Sequence, residues 1–461
     1  MELNQLLLHY LVYTLGGLAI LLTLLHMLYA RRSPTSMTLW LLLMIIAPYI
    51  FVIFYYIFGL RKRSIFKDKS LIFDKKIEIS SKPPLHQDSK LLFFNNIPPA
   101  SNDNDLKLFT NSSKSYNEFI KALKGAKESI DLATYVLKFD EEISKIFEIL
   151  TLKAREGVKV RFLIDTLGSY KLYFWQKPLK ELKKAGVKIH FFSPIFNKKA
   201  ISKLNLRYHR KIYIIDNKIL FSGGMNLSGE YMGAQECSDR WIDLMFKVEG
   251  SVVNDYIDIF NLDLSFVCKK DLTRTLKNQE KAGDHLLQTL PSGPDVKGDV
   301  LLELIIDSIY RAKKRIWIIT PYFIPDESIM QALRIASHKN VDVRIITPQK
   351  SNHKIADLAR KSYIRTLYEN SIKVILYEGK MIHAKALLFD ESSLILGSSN
   401  LDYRSLLLNY EVVTISYAKD HILQIEEWMR ELMAKKYSKL EPANKLKRIF
   451  ENLFRIFASA L

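Results

Sequence analysis

At 461 residues the chain is long for one domain and comfortable for two plus a membrane anchor. A formal charge of +19 implies an anionic partner, with nucleic acid and an acidic membrane surface as the usual candidates. Only two cysteines occur, Cys237 and Cys268, in no metal-ligand spacing, which argues against a disulfide framework and fits reduced thiols in a cytosolic setting.

Two apolar stretches open the chain. Leu6 to Ala30 holds His9 and His26 but no Lys, Arg, Asp or Glu, and Met37 to Leu60 holds none of the six. Each has the roughly twenty residues that a membrane-spanning helix needs. The joint between them, RRSPTS, carries Pro34 and turn-forming polar residues, so a two-helix transmembrane hairpin is expected over residues 1–62. A cleaved signal peptide fits poorly, because the first run is long, lacks a basic start and precedes a second run. Arg61, Lys62, Arg63, Lys67 and Lys69 follow the second stretch, Arg31 and Arg32 sit in the joint, and no Lys or Arg precedes the first. That count favours a cytoplasmic catalytic region on a multi-pass membrane protein.

Residues 63–105 contain SSKPP, NNIPPA and SNDND and read as a linker or irregular arm. From about Phe109 an α/β rhythm begins. A helix through NEFIKALKGAKES, a strand at IDLATYVL, a helix ended by Gly157, a strand at VKVRFLI, a helix through Lys184 and a strand at VKIHFF are predicted in that order. The chain then replays the series from LLELIIDSIYRAKKR to IKVILY. AKESIDLATY aligns with AKKRIWIITPY, and GVKVRFLID with NVDVRIITP, an internal duplication of about 170 to 190 residues. The expected halves are 106–275 and 276–440. The first carries a basic insertion, SPIFNKKAISKLNLR, where the second has only EGKM; it reads equally as a site-lining segment or a solvated loop.

Each half ends in one constellation. His209, Lys211 and Asp216 match His383, Lys385 and Asp390 as H-x-K-x4-D, and in both copies an Asn follows seventeen residues after the His, Asn226 and Asn400. A neutral imidazole serves as nucleophile or general acid/base, Lys is a point charge suited to phosphate oxygens, and Asn adds a neutral donor. On a strand, His and Lys two residues apart share a face. Two such strands meeting across a pseudo-twofold axis would bring two His and two Lys to one phosphodiester, splitting the displacement into two steps. Asp216 and Asp390 stand five residues after their Lys, an odd offset that faces them away and suits a structural bond better than chemistry.

The paired motifs, each followed by G-[GS]-x-N, resemble the phospholipase D superfamily. PYFIPDESIMQAL, DVRIITP and GSSNLDYRSLLLNYE resemble the bacterial cardiolipin synthases within it, over nearly the whole chain. The resemblance implies two α/β sandwich halves forming one catalytic unit. It implies a catalytic set of His209, Lys211, Asp216, His383, Lys385 and Asp390, with His209 as nucleophile and His383 as acid/base, although the pattern itself is symmetric. Glu411, in NYEV, resembles the carboxylate that orients the imidazole. Its counterpart is expected at Asp243, with Glu236 and Asp239 as rivals. Asn226, Asn400, Glu411 and Asp243 thus form the phosphate-binding and orienting set.

The implied reaction joins two phosphatidylglycerol molecules into cardiolipin and glycerol through a phosphatidyl-histidine, with no cofactor and no metal. Its partners are phosphatidylglycerol and anionic lipids of the bacterial inner membrane, and no nucleic acid is expected. The alternatives are a hydrolase or headgroup-exchange enzyme using another acceptor, a membrane-tethered nuclease, and an inactive lipid-binding protein. Residues 441–461 have apolar residues at helical spacing and four cations, which suits an interfacial helix or one packed on the catalytic unit.

Overall fold

The computed structural model describes residues 2–30, 32, 34–59, 87–193, 206–270 and 279–455. The N-terminal helices form one compact unit, and the elements described from residue 87 onward belong to a second.

In the first unit, α1 (Glu2–Tyr29) is followed by α2 (Pro34–Ile46) and α3 (Pro48–Phe58). Among the described residues one helix is long and apolar enough to cross a membrane, Gln5–Tyr29. The second expected span is instead two short helices. Pro48 lacks an amide hydrogen and pushes Ala47 out of the helical region, to φ −150° and ψ 85°, so the stretch breaks there. Met27, Met44 and Tyr55 form the small core of this unit, and the Tyr55 hydroxyl lies 3.0 Å from His26 Nδ1. Arg31, Arg61, Lys62, Arg63, Lys67 and Lys69, on which the orientation rests, lie outside the described residues. So do 64–86 of the expected arm, 194–205 of the basic insertion, and Phe457 and Leu461 of the tail.

The second unit is built on one mixed sheet. The first half supplies β1 (Ser101–Phe109), β2 (Ser129–Thr134), β3 (Lys159–Asp165), β4 (Lys188–Phe192), β5 (Ile212–Ile215), β6 (Ile219–Gly223) and β7 (Met245–Glu249). The second half supplies β8 (His285–Ser292), β9 (Arg315–Ile319), β10 (Phe323–Ile324), β11 (Asp342–Pro348), β12 (Lys373–Tyr377), β13 (Ala386–Phe389), β14 (Ser393–Gly397), β15 (Leu401–Asp402), β16 (Glu411–Ser416) and β17 (Tyr437–Ser438). The order is β17-β12-β11-β9-β13-β14-β16-β8-β1-β7-β6-β5-β2-β3-β4, with β10 and β15 paired separately. Read outward from the β8–β1 seam, seven strands on each side repeat in order, and β17 extends the second side beyond β12. On each side three parallel strands continue into an antiparallel run.

Local chemistry starts the helices where the pattern predicts. Asn111 caps Ser112–Gly125, Asp140 caps Glu141–Arg155 and Asp326 caps Glu327–His338, each side chain accepting from amides of the first turn. The helices Val252–Cys268 and Val300–Arg311 share a core with strands of both halves, and Tyr256 reaches Thr414 across the seam at 2.7 Å. The halves are therefore one folding body. β1 lay partly inside the expected linker, because SNDND carries no apolar alternation. Its Asn104 is fully buried, accepts from the Val252 amide at 2.9 Å and donates to the Ser101 carbonyl at 2.9 Å, so hydrogen bonds replace apolar packing there.

The helix Lys445–Arg455 packs on Lys354–Glu369, but with its polar side inward. Glu451 is buried in a two-bond pair with Arg365 (2.5 and 3.0 Å), while Leu446, Ile449, Phe450 and Leu453 are exposed.

Candidate active site

Both H-x-K motifs lie on extended segments just ahead of β5 and β13 rather than inside a ladder. Their backbones pair with the opposite half. The His209 amide donates to the Tyr410 carbonyl (2.9 Å) and the Tyr410 amide to the Arg207 carbonyl (2.9 Å). The His383 amide donates to the Ile242 carbonyl (2.7 Å) and the Ile242 amide to the Met381 carbonyl (2.8 Å). Each bridge ends one residue before a carboxylate, and the carboxylates therefore cross between halves. Glu411 of the second half accepts from His209 Nδ1 through Oε2 at 3.0 Å, and Asp243 of the first half accepts from His383 Nδ1 at 2.7 Å. A carboxylate only accepts, so each Nδ1 carries the proton and each Nε2 keeps its lone pair.

The lysines are buried between these pairs. Lys211 Nζ donates to the His209 carbonyl (2.8 Å), and Lys385 Nζ donates to the His383 carbonyl (2.5 Å) and lies against the His383 ring, 2.8 Å from Nδ1 and 3.0 Å from Nε2. Asn226 Oδ1 accepts from the Val136 amide (3.1 Å), and Asn400 Nδ2 donates to Asp402 (2.9 Å), leaving Asn400 Oδ1 buried without a partner among the described residues. His209, Lys211, Asn226, His383, Lys385 and Asn400 are all buried, and Lys211 and Lys385 each act electrostatically on the histidine of the other half as well as their own. Tyr135 stands edge-on to His209 at 4.9 Å between ring centres, and Tyr231 to His383 at 4.9 Å.

Burial dominates the electrostatics. It pushes His209 down to about 4, with Lys211 adding to the shift and Glu411 opposing it. Burial and then the Lys385 charge take His383 down to about 3 against Asp243. Lys211 falls to about 7 through burial and the neighbouring Lys385, and Lys385 falls to about 8 through burial. Burial alone would raise Glu411 and Asp243, but the imidazole hydrogen-bonded to each and then the nearby lysine hold both carboxyls below their ordinary values. At neutral pH the site thus holds two neutral imidazoles and two lysines poised near their titration point.

Two expected site residues stand elsewhere. Asp216 accepts from the amides of Lys127, Glu128 and Ser129 (2.7 to 3.1 Å), and Asp390 from those of Lys313, Lys314 and Arg315 (2.8 to 2.9 Å). Each sits in a left-handed turn at the far end of its motif strand, φ 54° and 50°, and ties the start of the neighbouring parallel strand. Neither reaches the pocket. The rivals for the first-half carboxylate are also placed apart: Glu236 accepts from Asn111 at 2.8 Å and Asp239 is exposed.

Several site residues carried no motif. Arg210, between the two motif residues, is fully buried and bonds Asp263 (2.7 and 2.9 Å), Asp295 (3.0 Å) and the Glu411 carbonyl (3.1 Å). Ser398 donates to Glu411 at 2.5 Å. At the matching position of the first half a Gly224 Cβ would meet Asp243 Oδ1 at 2.1 Å, so only glycine fits over the shorter carboxylate. The G-[GS]-x-N turn held that signal, a variable second position facing a carboxylate of variable length. His285, Asp420 and His421 place ligand atoms within 4.8 Å of one another, but beyond the far end of β16 from Glu411. There Ser416 and the Leu106 backbone already engage the ring nitrogens.

The model of the cardiolipin synthase, PLD-like domain matches residues 119–261 and 305–433. Cardiolipin synthase 1 of Bacillus anthracis is 32% identical, covering 94% of this chain and 90% of its own. The cardiolipin synthase of Clostridium perfringens strain SM101 is 32% identical, covering 92% and 94%. The crystal structure of a phosphatidylserine synthase from Haemophilus influenzae Rd KW20 superposes with a TM-score of 0.59 at 17% identity, over 81% of this chain and 98% of that one, a likeness of fold. With a family model matching both halves and relatives matching nearly end to end, the chain belongs to the cardiolipin synthase family of phospholipase D-like enzymes.

Proposed function

We propose that the chain is a membrane-bound phosphatidyltransferase that converts two phosphatidylglycerol molecules into cardiolipin and glycerol. The observation that carries the mechanism is the crossed pair of carboxylate–imidazole contacts, which leaves two Nε2 atoms free of the carboxylates beside two buried lysines. His209 Nε2 attacks the donor phosphorus, the P–O bond to glycerol breaks, and His383 gives the leaving oxygen its proton. The product is a phosphatidyl-histidine. His383 then takes the proton from a hydroxyl of the second phosphatidylglycerol, whose oxygen attacks phosphorus and frees His209.

The division of roles rests on an asymmetry between the two His–Lys pairs. Lys385 Nζ crowds the His383 ring, 2.8 Å from Nδ1 and 3.0 Å from Nε2, whereas Lys211 donates to the His209 carbonyl and leaves that ring clear, which supports His209 as the attacking imidazole. An incoming phosphodiester draws both lysines to its oxygens. Its negative charge also raises His383 beside it, so that the acid gains its proton in the complex. Asn226 and Asn400 supply neutral donors to the same oxygens, while Asp216 and Asp390 keep the strands that carry the motifs in register.

We read the N-terminal apolar stretches as the anchor of a multi-pass protein of the inner membrane, with the catalytic halves 106–275 and 276–440 on the cytoplasmic side. The Lys and Arg count around those stretches supports this. Protease digestion of intact spheroplasts tests it, since a catalytic region cleaved from outside would reverse the orientation. The activity test uses purified protein in detergent micelles with phosphatidylglycerol as sole lipid. Cardiolipin and glycerol in equal amounts are expected from the wild type and neither from His209→Ala or His383→Ala. Phosphatidic acid as sole lipid product would mean that water is the acceptor.

A further inference from the structure

We propose that the turn and short helix after β3, Leu167 to Trp175, is a membrane-insertion element that seats the mouth of the site in the headgroup layer of an anionic bilayer. It rests on the reading of the substrate as a bilayer lipid. Phe174 and Trp175 are 59% and 69% exposed, and Leu167, Tyr170 and, from the loop after β2, Phe139 are about as open. Lys171, Lys177 and Lys180 are exposed among them, and no Asp or Glu occurs from Thr166 to Lys180. Aromatic rings with one wet edge, flanked by cations and without acids, suit the boundary between anionic headgroups and acyl chains.

The exposure is not slackness. Leu172 is buried, Tyr173 packs on Phe191 at 5.2 Å between ring centres, and Ser169 Oγ accepts from the Leu137 amide (2.8 Å) and donates to the Tyr135 carbonyl (3.0 Å). Gly168 lies so close to Tyr135 that a Cβ would meet its carbonyl at 2.3 Å. One carboxylate joins this element to the catalytic segment. Asp165 accepts from Leu167 and Gly168 (both 2.8 Å) and from Tyr208 (2.9 Å), the residue before His209. A firmly anchored element that turns its largest apolar side chains outward, beside a lipid-using site, has a bilayer as its natural cover. The matching segment after β11, Gln349 to Ile355, is polar and exposes Ile355 alone among large apolar residues.

The test compares full-length wild type with Phe174→Ser/Trp175→Ser on two presentations of phosphatidylglycerol, in nanodiscs and as short-chain monomers. The expected result is a fall of about tenfold or more in kcat/KM on nanodiscs and less than about twofold on monomers. An equal fall on both would assign the element a structural role, and no fall on either would remove it from membrane contact; each overturns the proposal. As a second readout, Trp175→Cys in a Cys237→Ser/Cys268→Ser chain carries a fluorophore at one chain per nanodisc. Quenching by headgroup nitroxide lipids is expected. Quenching that is absent at one chain per disc, with the label shielded only when several chains share a disc, would make this a contact between copies. If wild type turned over neither presentation, the substrate reading would fail, and the quenching would still decide insertion.

Discussion

The two halves share a skeleton of seven strands in the same order, yet they treat their motifs differently. In the first, the residue between His209 and Lys211 is Arg210, buried against Asp263 and Asp295; in the second it is Ala384, buried with nothing to pair. Gly224 yields space to the short Asp243, whereas Ser398 reaches out to the longer Glu411. Lys211 leaves the ring of its histidine alone, whereas Lys385 lies against the ring of His383. Duplication thus supplied two imidazoles in matching settings, and a few substitutions around them made those settings unequal; on the proposed mechanism, that inequality separates an attacking group from a proton carrier.

The sharpest way to break this comparison is an activated donor whose leaving group, such as p-nitrophenolate, needs no proton. His209→Asn and His383→Asn should each cost at least about 10³-fold with phosphatidylglycerol. The activated donor should restore the first transfer in His383→Asn and not in His209→Asn, read as p-nitrophenolate burst; the opposite pattern would exchange the roles.

The crossing of the carboxylates follows in size. Glu411→Gln and Asp243→Asn should each cost about 10²-fold or more, as when a triad carboxylate loses its charge. Because Glu411 serves His209 and Asp243 serves His383, only Asp243→Asn should recover on the activated donor. Rescue of Glu411→Gln instead would mean that each carboxylate serves the histidine of its own half.

Gly224→Ala should then lower kcat by about tenfold or more through displacement of Asp243, a cost of roughly 1.5–3 kcal/mol for a disturbed charged hydrogen bond. Asp216→Ala and Asp390→Ala should lower stability by about 1–3 kcal/mol each, seen as a lower Tm, with kcat of the folded enzyme little changed. A large loss of kcat without loss of Tm would return these residues to the chemistry.

The smallest effect is in pH. In the free enzyme Lys211 and Lys385 lose their protons near 7 and 8, so kcat/KM should fall as pH rises through that range, while the neutral histidines set an acid limb near 4. A bound phosphodiester raises both lysines, so the basic limb of kcat should lie higher. Binding of glycerophosphoglycerol at pH 7.5 should take up protons, measured by calorimetry in buffers of different ionisation heat; release instead would contradict the depressed lysines.

The sequence by itself determined the α/β rhythm, the duplication and the paired His, Lys and Asn of the two motifs, because periodicity and fixed spacing are local properties that survive in one dimension. Pro48 inside the second apolar stretch carried the signal for the helix break, which an unbroken span over Met37 to Leu60 passed over. Only the tertiary structure decided which carboxylate meets which histidine, since that depends on backbone bridges between residues some two hundred apart in one case and a hundred and forty in the other. It decided that polar β1 would be a seam strand, because buried hydrogen-bond partners came from the distant Val252 amide. It decided too that the last helix turns its polar face inward, where Arg365 waits for Glu451. An amphipathic pattern fixes that a helix has two faces; the partner it folds against fixes which of them is buried.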